Sequence, residues 1–443
     1  MKRFPGPFAC LLVAVFTLTV QASLLPPRPN IVFFLADDLG YSDLGCYGAT
    51  DIRTPNIDRL AREGVRLTQF YANGCVCTPT RCALLTGRYP QRLGGLEWSI
   101  PPGKKHLGLP AREKTLATLL REAGYATALA GKWHLGYTPD RSPNAHGFDH
   151  FFGLLGGNHD YFTHRENNGE LDLYRDGQPV VMEGYSTHLI TQHARQFLDA
   201  MREKPFFLYV AFNAPHFPFQ GPEDATRQVT LKDWAHGTRE TYVKMVEALD
   251  SGVGEILGAL DRHGLATNTL VVFASDNGGD RCSRNGRLAK GKGQLWEGGL
   301  RVPCIVRWPG RLPPGTDSAQ AGITMDWTAT IANLAGVKPP DDRPFDGVDL
   351  LPLLSGQRPI TPRTLFWRRV GPNEVKTHRA VRCGDWKFIQ TTKGGQFLYH
   401  LATDIGETTN LALRDPERVR RLVALLDAWE SSVDSSPRPI PKE

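Results

Sequence analysis

Four unbroken apolar runs, each stopping at residues that can do chemistry, constrain this chain more than any other feature. Ile31 to Leu35 stops at Ala36-Asp37-Asp38, and Tyr125 to Ala130 stops at Gly131-Lys132-Trp133-His134. Phe206 to Ala211 stops just before Asn213-Ala214-Pro215-His216, and Leu270 to Ala274 stops at Ser275-Asp276-Asn277-Gly278. Apolar runs without alternation belong to strands buried on both faces, which is the habit of parallel sheets. Helical stripes lie between them. Tyr242, Met245, Leu249, Val253, Ile256 and Leu260 recur at spacings of three and four. Asn56 to Glu63 and Thr115 to Ala123 read as shorter helices closed by Gly64 and Gly124. The alternation predicts an α/β fold, a sandwich with a large mostly parallel sheet between helices.

Composition narrows the class. A chain of 443 residues buries one large core and a smaller one. The 45 glycines and 33 prolines follow no short period, which excludes collagen and coiled coil. A net charge of +6 without a Lys/Arg block excludes a nucleic-acid partner. The start, Met1-Lys2-Arg3 followed by apolar Phe8 to Val20 and Val20-Gln21-Ala22, reads as a signal peptide over 1–22. Its apolar run is short for a membrane anchor, the competing reading. The expected protein is exported, periplasmic or secreted, and makes no membrane contact after signal cleavage. Seven cysteines then remain, an odd number that marks one thiol for other work, although several simply buried thiols would also explain it. The cysteine and histidine spacings do not suggest zinc.

A catalytic α/β domain is expected over 27–340. From 341 to 443 the texture changes to Pro/Gly-rich links and short strands, Ala380 to Arg382 and Trp386 to Ile389. A terminal helix follows, with Asp415 as N-cap, Pro416 in its first turn, and Val419, Leu422, Leu426 and Trp429 on one face. This reads as a small C-terminal α+β subdomain, with disorder expected after Ser431.

Open α/β sheets bind ligands beyond the carboxyl ends of their strands. Asp37, Asp38, Asp276 and Asn277 sit at such ends and offer three carboxylates and an amide oxygen. Those are hard donors, suited to one calcium ion, with magnesium the second choice. Any one of them alone would read as a cap or turn residue; two acidic pairs at two strand ends do not. Cys77-Thr78-Pro79-Thr80-Arg81 reads as the first turn of a helix whose N-terminus and Arg81 fork favour an anion. A disulfide from Cys77 within the Cys75 and Cys82 cluster is the competing reading.

Together these segments resemble the type I sulfatases of the alkaline phosphatase superfamily, in which a C-x-P-x-R cysteine is oxidised to Cα-formylglycine. Thr54 to Asp58, Gly131 to Gly136, Ala214-Pro215-His216, Gly291 to Gly299 and Gly384 to Lys387 carry the resemblance further, over nearly the whole mature chain. Thr80 departs mildly from the family's usual serine or alanine. The resemblance implies that Cys77 becomes the formylglycine nucleophile and joins Asp37, Asp38, Asp276 and Asn277 around calcium. It also implies that Lys132 and Lys292 clamp the sulfate, that Arg81 supports the site, that His134 accepts a proton, and that His216 with Lys292 protonates the leaving alcohol. Asn158 and His159 fall near a further polar sulfate contact. A sulfatase-maturing enzyme is the implied partner in biosynthesis.

The expected substrate is a sulfated carbohydrate. The segments Gly156 to Tyr174 and Trp367 to Arg382 mix Tyr161, Phe162, Tyr174 and Trp367 with Arg165, Arg368 and Arg379, a composition that suits sugars and neighbouring anions. Arg281, Arg284 and His378 are further loop candidates, each better explained alone as solvated charge. The alternatives are a general arylsulfatase, a formylglycine-dependent phosphonate or phosphate ester hydrolase, and a non-catalytic sulfated-glycan-binding module. Asn277 in place of histidine speaks against a two-zinc phosphatase, and the intact cysteine and metal set against a binding module.

Overall fold

The computed structural model describes Met1 and residues 28–226, 229–370 and 378–435. Apart from Met1, the expected signal segment lies outside the described residues. The strands, numbered in chain order, begin with β1 (Asn30–Ala36), β2 (Val65–Leu67), β3 (Phe70–Tyr71), β4 (Ala126–Gly131) and β5 (His150–Gly153). They continue through β6 (Tyr174–Arg175), β7 (Gln178–Pro179), β8 (Phe206–Ala211), β9 (Thr269–Ser275), β10 (Cys304–Arg307), β11 (Thr316–Ser318) and β12 (Gly322–Ile323). The last four are β13 (Thr364–Arg369), β14 (His378–Cys383), β15 (Trp386–Gln390) and β16 (Gln396–His400).

Ten of them form one sheet in the order β11-β2-β10-β9-β1-β8-β4-β5-β6-β7. Its centre, β9-β1-β8-β4-β5, is wholly parallel. Antiparallel pairs occur at β10 and at the β6–β7 edge. The four apolar runs are the four adjacent strands β9, β1, β8 and β4.

Their lack of alternation has a direct cause. Along β1, Ile31, Phe33 and Leu35 face one hydrophobic layer, and Val32, Phe34 and Ala36 the other. The first layer is completed by α2 (Cys77–Thr86), α3 (Leu116–Glu122) and α7 (Asp326–Ala335). The second is completed by α1 (Pro55–Arg62), α4 (Ser186–Met201) and α5 (Arg239–Arg262). The Tyr242 to Leu260 stripe is the buried face of α5. Gly124 after α3 takes the expected left-handed conformation, at φ 87°. Gly64 after α1 does not; a side chain there would meet the Val306 carbonyl, 2.2 Å from an ideal Cβ.

The C-terminal sheet is antiparallel, β13-β14-β15-β16, and packs with α9 (Pro416–Asp434) on a third core. Two short helices, α6 (Glu297–Leu300) and α8 (Leu351–Leu354), lie in connections. Asp415 caps α9 as expected, accepting from Arg418 N–H at 3.0 Å. The helix runs past Ser431 to Asp434, because Val433 is buried against the core and holds the last turn. The division at residue 340 remains our proposal.

Candidate active site

The ladder brings the polar stops together because their strands are neighbours. Asp37 follows β1, Lys132 follows β4, His216 lies five residues beyond β8, and Asp276 follows β9. Backbone bonds extend each pairing one residue past the strand end, from Asp276 N to Ala36 O at 3.1 Å and from Lys132 N to Ala211 O at 2.7 Å. Gly131 sits where that approach is closest. Its φ is 118°, and a Cβ would stand 1.9 Å from the Ala211 oxygen. Asp38 and His134 both adopt positive φ, 64° and 55°. Such backbone costs about 1–3 kcal/mol for a residue with a Cβ and is held in place by its surroundings.

Cys77 opens α2 and is buried with the rest of the helix. Thr80 closes the turn before it, accepting from Gly74 N–H at 3.0 Å, so the hydroxyl has a definite place. Thr78 ties the helix to the His134 carbonyl at 3.1 Å. Cys77 Sγ donates to Asp37 Oδ1 at 3.4 Å, and burial, then Asp37, pushes its thiol pKa well up. Cys77 and Cys82 are thiols rather than halves of a disulfide.

One oxygen each from Asp37 and Asp38, Cys77 Sγ and a His216 ring nitrogen lie within 4.8 Å of one another. Asp276 joins them by accepting from Asp38 N–H at 3.2 Å. Asn277 Nδ2 donates to Asp38 Oδ1 at 2.7 Å, while Asn277 Oδ1 is buried without a hydrogen-bond partner. A buried amide oxygen beside three carboxylates, with no donor of its own, fits a hard cation's ligand.

Three cations answer the carboxylates. Arg81, fully buried, donates from Nε and Nη2 to Asp276 Oδ2 at 3.0 and 2.8 Å, and from Nη1 to the Lys132 carbonyl at 3.1 Å. Lys132 Nζ reaches Asp37 Oδ2 at 2.5 Å, and Lys292 Nζ reaches Asp38 Oδ2 at 2.6 Å. Burial alone would raise the Asp38 pKa, but Lys292 and His216 hold it well below the usual carboxylate range. Asp276 is pushed up to about 6 by burial and Asp37.

The two histidines are set in opposite senses. His134 Nε2 faces the Ile100 carbonyl at 3.0 Å, so Nε2 carries the hydrogen and the partnerless Nδ1 keeps its lone pair. His216 Nδ1 faces the Phe217 carbonyl at 2.6 Å, which leaves Nε2 to accept from Lys292 Nζ at 3.0 Å. Burial, reinforced by Lys132 for His134 and by Lys292 for His216, depresses both pKa values.

Cys77, His134, His216 and Lys292 open onto a cavity of about 320 Å³. Its other walls are Trp98 to Pro102, Gly157, Asn158, Asn167, Phe217 and Trp234. A larger cavity, about 470 Å³ between β4, β5 and α4, contains none of the site residues.

Asn158 lines the active cavity, 3.5 Å from His216 Nδ1. His159 does not. Its ring nitrogens are bound to the Asp172 carbonyl and Ser186 Oγ, both at 2.8 Å, and it is a buried structural residue. The expected sugar-facing aromatics Tyr161 and Trp367 are core residues, bonded to the carbonyls of Asn213 and Ala72. Arg368 is committed to Glu97 and Asp434, and Arg379 to Asp427 and Glu430. Arg165 bonds the Gly169 carbonyl, and Arg284 pairs with Asp51. Arg281 lies over the Phe217 ring, 5.4 Å from its centroid. Trp98 and Trp234 were not legible as cavity residues, because each stands alone in an irregular segment; Asn167 falls in the Gly156 to Tyr174 segment expected to face a sugar, and Phe217 directly follows His216.

The sulfatase family model matches residues 29–337, and one for the C-terminal part of N-sulphoglucosamine sulphohydrolase matches 291–428. The chain is 35% identical to N-acetylgalactosamine-6-sulfatase of Mus musculus, over 92% of this chain and 86% of that protein. It is 36% identical to arylsulfatase A of Homo sapiens, over 89% of this chain and 85% of that one. Among solved structures, Ps i-CgsB in complex with k-i-k-neocarrahexaose superposes with a TM-score of 0.84 at 32% identity, covering 93% and 94% of the two chains. A protein in complex with its substrate D-glucosamine-2-N,6-O-disulfate superposes at 0.74 and 25% identity, covering 94% and 100%. With the family model spanning most of the sheet and every strand-end group gathered at one cleft, this chain belongs to the sulfatases of the alkaline-phosphatase-like superfamily and is a sulfuric ester hydrolase.

Proposed function

We propose that the chain is an exported sulfatase of sulfated carbohydrates, working through formylglycine made from Cys77 by a maturing enzyme and through one calcium ion. The observation that carries the reading is the convergence of Cys77, three carboxylates, Asn277 and two lysines beneath a cavity lined by aromatic and amide side chains. Glycan ligands in two similar structures support the substrate class. Export rests on the N-terminal pattern of 1–22; no helix among the described residues is long and apolar enough to cross a membrane.

Asp37, Asp38, Asp276 and Asn277 would hold the calcium, with residue 77 beside it, and the ion would supply positive charge against the sulfate oxygens. As the formylglycine hydrate, residue 77 would supply the oxygen that displaces the ester oxygen from sulfur in line, its hydroxyl proton passing to Asp37, whose Oδ1 faces Cys77 Sγ at 3.4 Å. Lys292 would be the source of the departing ester oxygen's proton, passed through His216 Nε2, which accepts from it at 3.0 Å. Lys132 and Lys292 steady the sulfate, and Arg81 keeps Asp276 and the Lys132 backbone in register. His134, whose Nδ1 has no partner, would accept the proton of the second hydroxyl, which lets the C–O bond to sulfate break and restores the aldehyde.

Sulfate release from a panel of sulfated oligosaccharides and monosaccharides, set against nitrophenyl sulfate by kcat/KM, tests the substrate class. The aromatic walls favour one second reading, a general arylsulfatase. Preference for the aryl ester over every sulfated sugar would establish it in place of ours. Faster hydrolysis of phosphonate or phosphate esters than of any sulfate would displace both.

A further inference from the structure

Several walls of the 320 Å³ cavity take no part in the chemistry assigned above. Trp98 is half-buried, with the Arg369 guanidinium 5.2 Å from its ring centroid. Its edge lies by Gly293, next to Lys292, where an ideal Cβ would be 3.9 Å from Trp98 Cη2. Trp234, 9% exposed, stands by His216 instead. Its indole N–H donates to Asn158 Oδ1 at 3.4 Å, and Asn158 in turn approaches His216. Asn167 is exposed on a turn that Glu166 steadies by accepting from Gly169 N–H at 2.9 Å and from the Tyr137 hydroxyl at 2.8 Å. Two indoles and a carboxamide thus come from three separate segments to one cavity, beside the leaving-group acid.

A pyranose presents C–H faces and a rim of hydroxyls. Indole covers the first without losing hydrogen bonds, and a carboxamide serves the second as donor and acceptor. The volume is at the small end of ligand sites, about 300–1,000 Å³, which suits one ring better than a chain. Resting on the carbohydrate reading above, we propose that Trp98, Trp234 and Asn167 form the subsite for the single sugar ring that bears the scissile sulfate. The indoles cover its C–H surface, and Asn167 bonds a ring hydroxyl.

The test uses matured, calcium-loaded enzyme. Trp98→Ala, Trp234→Ala and Asn167→Ala are compared with the parent by kcat/KM on sulfated monosaccharides. Inorganic sulfate is the second probe, as a competitive inhibitor that needs only the clamp. Each tryptophan variant is expected to lose about tenfold or more on the sugar ester, and Asn167→Ala about fivefold, with the sulfate inhibition constant within about twofold of the parent. Trp98→Phe and Trp234→Phe should recover part of the loss. A sulfate constant that worsens in step with the sugar would assign the residues to holding the clamp and overturn the subsite. Losses under about threefold on every sugar the parent hydrolyses would overturn the subsite alone. A parent that cleaves nitrophenyl sulfate but no sulfated sugar would overturn the subsite and the carbohydrate reading together.

Discussion

Lys387 gives the sharpest stability prediction, because it lies away from the reacting groups and its surroundings are closed. It is fully buried on β15, with Nζ 2.8 Å from Glu297 Oε1 and 3.1 Å from Glu407 Oε1. Glu297 has other support, from the Tyr71 hydroxyl at 2.7 Å and Arg301 at 3.3 Å. Glu407 Oε2 accepts from Glu297 N–H at 2.6 Å. Burial pushes Glu407 up to about 7 despite Lys387, whereas Lys387 and Arg301 overcome burial and hold Glu297 down at about 2. Lys387→Met therefore leaves two facing carboxylates with Arg301 and, behind Tyr71, Arg382 as the remaining cations, both on the Glu297 side. Removing one partner from a buried ion pair costs about 3–5 kcal/mol. At about 2 °C per kcal/mol for a large domain, melting should fall by roughly 6–10 °C at pH 8. The sign with pH is fixed. A carboxyl whose folded pKa exceeds its unfolded value binds more protons when folded, so stability falls as pH rises between the two. Losing the cation raises the folded values further, so the deficit should narrow toward pH 5.5. Adding Glu407→Gln should recover part of it at pH 8. Thermal unfolding followed by circular dichroism reads the parent and both variants. A deficit below about 2 °C at pH 8, or one equal at both pH values, would refute the charge accounting.

Cys77→Ala should lower sulfate-ester turnover at least about 10³-fold while melting stays near the parent's, and mass spectrometry of active enzyme should find an aldehyde or its hydrate at Cys77. A fully active, unmodified thiol would contradict the mechanism. Calcium at a hundred times its dissociation constant should stabilise the fold by about 2.7 kcal/mol, seen as a rise in melting temperature that chelation reverses and Asn277→Ala diminishes. Two stoichiometric zinc ions by elemental analysis would contradict the donor assignment. Burial, then Glu166, pushes Asp172 up to about 7, so its contribution to stability is lost as pH rises from about 4 to 7; Glu166→Gln should flatten that slope in pH-resolved melting curves.

The centre of the fold was legible because strands buried on both faces leave continuous apolar runs, and the polar cluster of the proposed site was legible because its groups stand where those runs stop. Asp37, Lys132, His216 and Asp276 follow four neighbouring strands, so reading the strand ends amounted to reading the floor of the site. The edges were less readable. β6, β7 and β12 are two residues each, too short for any pattern. β13 carries Leu365 and Trp367 inward with Arg368 among them, and that mixture resembles a binding loop until the ion pairs to Glu97 and Asp434 are seen. His159 shows the same limit at one residue's scale. It follows Asn158, yet only Asn158 turns to the cavity, since the His159 ring is claimed by Asp172 and Ser186. Trp98, Asn167 and Trp234 meet only in three dimensions, and no local spacing encodes that.

The site's charges also divide the labour among its cations. Asp37, Asp38 and Asp276 are matched one for one by Lys132, Lys292 and Arg81, so the protein's own groups cancel before any ligand arrives. Arg81 spends its fork on Asp276 and a carbonyl and acts as fixed framework. Lys132 is fully buried beneath the cavity, whereas the Lys292 side chain keeps 15% of its surface and touches His216. Of the three cations, Lys292 is therefore the one placed, in the mechanism we propose, both to meet an incoming anion and to feed a proton to the leaving group. A calcium ion held by the carboxylates would add two positive charges to a balanced set in a low-dielectric pocket, where unscreened charge attracts strongly. Affinity for a singly charged sulfate ester would then come from the bound cation and the proposed clamp together, and the neutral alcohol, once protonated, would have no such attraction to hold it.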